Sequence, residues 1–144
     1  GRIVNISGQG FKHAGEFITK WLAAAPSNIK DSIKTVFPGA PGGGGSDFAS
    51  FVAVGAPGFS LGALNWSYFN YTWHTNRDTY DKIIFDDLKS NAMLTAILVY
   101  MACEDNEVFP RDKADLGTDK RTGLPVQWPA QVKATRKGPV APTN

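Results

Sequence analysis

The chain has 144 residues, of which 42% are hydrophobic and 19% charged, with a formal net charge of +2. That is enough apolar material for one domain with a real core, and too little concentrated positive charge for a nucleic-acid-binding surface. A single cysteine, Cys103, excludes a disulfide within the chain, and the longest apolar run, residues 92–103, is too short to span a membrane.

Residues 2–7 (RIVNIS) alternate polar with apolar and predict a strand. Gly8-Gln9-Gly10 predicts a turn. Phe11, Ala14, Phe17, Ile18, Trp21, Leu22 and Ala25 recur at helical spacing, so residues 11–25 predict an amphipathic helix that Pro26 stops. A further helical turn over 27–32 and a short strand over 34–37 follow. Residues 38–46 (PGAPGGGGS) form a loop with two readings. One is a flexible linker, and the other is a backbone that approaches something closely or takes positive φ. No Gly-Lys-Ser/Thr follows, so it is not a phosphate loop.

Asp47 is placed to cap a short helix over 48–54, with Phe48, Phe51 and Val52 pointing inward. Residues 59–61 predict a buried strand, 66–73 (WSYFNYTW) an aromatic loop, and 86–103 the longest helix. That helix carries an apolar face of Leu88, Ala92, Leu94, Thr95, Leu98, Val99 and Ala102, with Asp86 and Asp87 favouring its N-terminal end. Cys103 is expected in the core or at its boundary. Beyond Pro110 the periodicity stops. Lys113, Lys120, Arg121, Lys133, Arg136 and Lys137 crowd a segment expected to be an extended or disordered tail. The alternation of strands and helices predicts an α/β layered domain with a largely parallel sheet. Three strands make a small, incomplete sheet, so an unpaired strand edge at residues 2–7 is expected to invite another chain. The chain opens on Gly1 without a leader and is expected to be a processed product or a piece of a longer polypeptide.

Few residues here carry chemistry. His13 reads as an ordinary helix residue. His74 sits in a loop after a run of aromatics, with Asp78 four residues on. An imidazole in that place can ligate zinc, and a nearby carboxylate can orient it. Spacing alone leaves His74 as an ordinary hydrogen-bonding side chain, because no HExxH, CxxC or HxH pattern accompanies it. No Gly-x-Ser-x-Gly surrounds a candidate nucleophile, so a serine-type triad is unsupported.

Three motifs in order change that weighing. They are Gly45-Ser46-Asp47 leading into a short helix, Gly55-Ala56-Pro57 leading into a strand, and His74-Thr75-Asn76-Arg77-Asp78-Thr79 closing the aromatic loop. The combination resembles the C-terminal part of the co-catalytic two-zinc exopeptidases that include aminopeptidase Y, bacterial leucyl aminopeptidase and plasma glutamate carboxypeptidase (the carboxypeptidase Q-like branch). The resemblance covers about residues 2–111 and looks closest to the last branch.

It implies the C-terminal portion of a three-layer α/β/α fold with a mostly parallel mixed sheet, incomplete on its own. Residues 1–110 would belong to the catalytic domain and 111–144 to a tail. His74 would be one zinc ligand, Asp78 and Thr79 would brace it, and Ser46, Asp47, Phe69, Tyr71 and Trp73 would border the substrate pocket. The activity implied is removal of residues from peptide ends by a water activated between two zinc ions. The other ligands and the general base of such enzymes have no counterpart here, so the chain alone is expected to be inactive. Its expected partners are the N-terminal part of the same peptidase and a peptide substrate, with no nucleic acid. A secreted or periplasmic location follows from the family only. The alternative is a non-catalytic module that binds other chains or a second copy of itself.

Overall fold

The computed structural model describes residues 1–42 and 46–133. Gly45 of the Gly-Ser-Asp motif, and Arg136 and Lys137 of the basic tail, lie outside the described residues. The elements run β1 (Ile3–Ser7), α1 (Ala14–Leu22), α2 (Ser27–Lys30), β2 (Lys34–Val36), α3 (Phe48–Ala53), β3 (Ser60–Ala63), α4 (Tyr68–Tyr71), a 3-10 turn (Tyr80–Lys82) and α5 (Phe85–Cys103).

The strands form one open, mixed sheet of order β2-β1-β3. β1 pairs parallel with β2, bringing Ile6 opposite Thr35, and antiparallel with β3, bringing Ile6 opposite Leu61. The first strand is therefore central, and among the described residues the free edges are β2 and β3. This overturns the expectation of an unpaired edge at residues 2–7. The two edges differ. β2 carries Lys34 and runs into Pro38, features that discourage further pairing, whereas β3 (SLGA) has neither charge nor proline. A register shift between Ile3 and Asn5 explains why Ile3 and Ile6, three apart, both enter the same core.

That core joins Ile3 and Ile6 to Phe17, Ile18 and Trp21 of α1, Ile29 of α2, and Leu94 and Leu98 of α5. A second cluster holds Phe11, Ala14 and Val52, with Phe48 and Trp128 against it. Phe109 ties the two together. Its ring centroid lies 4.8 Å from Phe17, 5.5 Å from Phe59, 6.3 Å from Trp21 and 6.4 Å from Phe11.

Several boundaries differ from the sequence reading. α1 starts at Ala14 rather than Phe11, because Phe11 forms an antiparallel bridge with Lys113 instead of joining the helix. Asp47 makes no capping hydrogen bond, since its backbone is already helical. Val52 is buried, but Phe51 is 58% exposed because α3 contributes only one side to the core. β3 is half-covered rather than buried, since only β1 lies beside it. Only Leu94 and Leu98 of α5 are buried; Leu88 and Val99 are 50% and 57% exposed. Cys103 is exposed, because it lies at the last turn of α5, beyond the part of the helix that meets the core. The described part of the tail lies against the domain: Lys12 N–H donates to Asp112 O, and Ala114 N–H donates to Gly10 O.

One polar clasp closes the aromatic cluster. The Asp105 side chain is 3% exposed and accepts from Trp21 Nε1 at 2.7 Å and Lys20 Nζ at 2.8 Å. It also takes the Glu107 backbone N–H at 3.1 Å. Chiefly through Lys20, then Trp21 and that backbone donor, its carboxyl is held down from 3.8 to about 2. A depressed folded value means the stabilisation is complete above the ordinary value and is lost as the pH falls through the folded one. The urea midpoint should thus drop as pH falls from 3.8 to about 2, and Asp105→Asn should lack that portion of the drop while being less stable above it. Parallel pH profiles for the two proteins would contradict the clasp.

Candidate functional site

β3 delivers the chain at Ala63 into the aromatic loop, and α5 takes it away at Phe85. Between them the backbone turns through three left-handed residues that are not glycine: Trp66 (φ 47), Ser67 (φ 60) and His74 (φ 58). Each such residue costs about 1–2 kcal/mol relative to a right-handed conformation, so the loop needs local support. Short hydrogen bonds supply it. Asn65 Oδ1 accepts from Ser67 N–H at 2.7 Å. Thr75 Oγ1 donates to Thr72 O at 2.6 Å and accepts from Arg77 N–H at 3.1 Å. Across the loop, Tyr68 OH donates to Asp78 at 2.6 Å.

His74 is exposed, and its ring stacks on Trp73 with centroids 3.8 Å apart and planes 22° off parallel. Phe69 meets Trp73 edge-on at 5.4 Å, and Tyr68 meets Phe69 at 5.6 Å. Phe69, Trp73 and His74 thus form one exposed aromatic shelf. Asp78 holds Tyr68, and Thr79 Oγ1 lies 2.5 Å from Asp81 Oδ1, which also pairs with Lys82. Tyr71 is exposed at the end of α4, and Ser46 and Asp47 are exposed at the start of α3. None of these three takes part in the ring contacts of the shelf among the described residues.

A groove of about 590 Å³ runs beside the free edge of β3. Leu61, Leu64, Trp66, Tyr68, Phe69 and Ile84 line it, with Lys82. Of the residues singled out from sequence, only Phe69 reaches it. Leu61, Leu64 and Lys82 gave no chemical signal in the sequence. They become neighbours only because β3 and the loop fold back on each other.

Asp78 tunes Tyr68. The hydrogen bond to Asp78 raises the phenol above its ordinary value of 10.0, with desolvation adding in the same direction. Ultraviolet titration should show one tyrosine ionising above that value, and Asp78→Asn should bring it back down. A tyrosine titration unchanged by Asp78→Asn would rule out the pairing.

A zinc ion needs three or four protein donors. Among the described residues no group of three or more His, Cys, Asp and Glu side chains could hold a metal ion. The described part of this chain therefore does not fit a zinc ion by itself. No helix among the described residues is long and apolar enough to cross a membrane. No curated protein and no solved structure matches the chain. A family model does: that of peptidase family M28, a family of zinc-dependent peptidases, over residues 4–99. The match takes in all of the sheet but Ile3, the aromatic loop with His74 and most of α5, and it covers more than half of the chain. The chain belongs to peptidase family M28.

Proposed function

We propose that this chain is the C-terminal segment of a zinc-dependent exopeptidase, of the kind represented by aminopeptidase Y, bacterial leucyl aminopeptidase and the carboxypeptidase Q-like enzymes. In this reading His74 is one metal donor, and the remaining donors and the general base come from polypeptide outside these 144 residues. One observation carries it: in a chain of this family, an exposed imidazole is held in a left-handed turn on an aromatic shelf. Such strained conformations concentrate where a side chain must be aimed. Phe69, Tyr71 and Trp73 are the walls offered to a substrate side chain, and Ser46 and Asp47 belong to the pocket rim. Asp78 and Thr79 brace the loop, Asp78 through Tyr68 and Thr79 beside Asp81. The peptide substrate and the N-terminal part of the peptidase are the partners, and a secreted or periplasmic location accompanies this reading.

A non-catalytic binding or self-assembling role is the second reading, favoured by the uncharged free edge of β3. Light scattering on the isolated chain separates the two, since a stable monomer removes the motive for it.

The isolated 144-residue chain should hydrolyse no dipeptide or aminoacyl substrate and keep no zinc after dialysis. In the assembled enzyme His74→Ala should lower activity by about 100-fold or more, with the circular dichroism unchanged. Stoichiometric zinc or peptidase activity in the isolated chain, or full activity in the His74→Ala assembly, would defeat the reading.

A further inference from the structure

The segment after α5 lies beyond the family-matched residues 4–99, yet it makes specific contacts with the N-terminal turn. Its backbone crosses the turn at the Phe11–Lys113 bridge. Its Trp128 then packs edge-on against Phe11, with centroids 5.3 Å apart, and Lys113 Nζ sits 4.6 Å over the Trp128 ring.

Gly10 is where this strap meets the arm of the glycine-rich loop. It has φ +87, and a Cβ placed on it would lie 2.9 Å from Trp128 Cη2 and Cζ2 and 3.2 Å from Pro41 Cδ. Only a residue without a side chain lets the indole and the proline ring close on the backbone from both sides. The neighbouring Gln9 is 5% exposed, and its Oε1 accepts the Gly42 N–H at 2.7 Å. Gly10 N–H donates to Pro38 O at 2.7 Å. Gly42 in turn leaves room for Phe48 of α3, since a Cβ there would lie 2.9 Å from Phe48 Cζ. The contacts run without a gap from Trp128 through Gly10 to Pro41, Gly42 and the start of α3.

We propose that Trp128 is a positioning residue: by pressing the Gly8–Gly10 turn toward Pro41, it fixes the Pro41–Gly42 arm and the first turn of α3. Ser46 and Asp47 stand at that same turn, so a segment outside the family-matched part sets the rim assigned above. The coupling itself does not depend on the peptidase reading, and its test uses no activity.

The test is amide hydrogen exchange by NMR on the full chain, comparing wild type with Lys113→Ala, Trp128→Phe and Trp128→Ala. Gly42 N–H should exchange faster in that order, on the order of tenfold in Trp128→Ala, while the Ile6 amide in β1 stays unchanged. In Gln9→Gly, which suits the left-handed φ of 54 but removes the acceptor, Trp128→Phe should no longer move Gly42. If Trp128→Ala fails to fold, Trp128→Phe and Lys113→Ala give the same readout. Gly42 exchange indifferent to these changes, or Gly42 and Ile6 accelerating by the same factor, would overturn the proposal.

Discussion

Everything in this domain leans on β1. Among the described residues it is the only strand paired on both edges, and its Ile6 is fully buried between α1 and α5. A strand in that position must be apolar toward the core and must have its backbone groups taken by neighbours. The five residues IVNIS meet the first demand by shifting register between Ile3 and Asn5, so that both isoleucines reach one core. β2 and β3 meet the second. The aromatic loop inherits its placement from this arrangement, since it begins where β3 ends.

Around β1 the stabilising contacts are local in space and distant in sequence. Phe109 touches four aromatic rings that span residues 11 to 59. Asp105 bonds Trp21 across 84 residues. Both follow the long helix α5, so that helix acts as the arm that carries them back to α1. Burying a carboxylate is costly unless it is well partnered, and Asp105 has three donors where one would leave it wanting.

These features show what a reader of the sequence can and cannot see. Alternation in residues 3–7 and the 3.6-residue spacing of Phe17, Ile18 and Trp21 are written locally, and both elements stand where that pattern puts them. The order of strands and helices gave an α/β layer with a largely parallel sheet; the α/β layer stands, but β3 runs antiparallel to β1, so the sheet is mixed, as the family resemblance implied. Phe11 has the right spacing for the helix but is claimed by Lys113, a residue that no local window contains. Leu88 and Val99 look like core residues, yet α5 meets the core chiefly through Leu94 and Leu98. At the candidate site, His74 and the aromatic run were legible as a motif, while the left-handed turns at Trp66, Ser67 and His74 were not, because none of them is glycine. The link from Asp78 to Tyr68 depends on a loop closure that spacing does not specify.

The topology also bears on how the molecule is made. Within this chain β1 is made before the elements that pack on it, and α1 can shield one flank soon afterwards. Its antiparallel neighbour arrives only with residues 60–63, and Leu94, Leu98 and Phe109 arrive later still. Until those residues are made, Ile3 and Ile6 lack the partners that this chain itself supplies from beyond α1. Contacts of such long sequence separation close slowly. The chaperone demand of this polypeptide should thus be set by the interval before the last helix emerges, more than by the strength of the finished core.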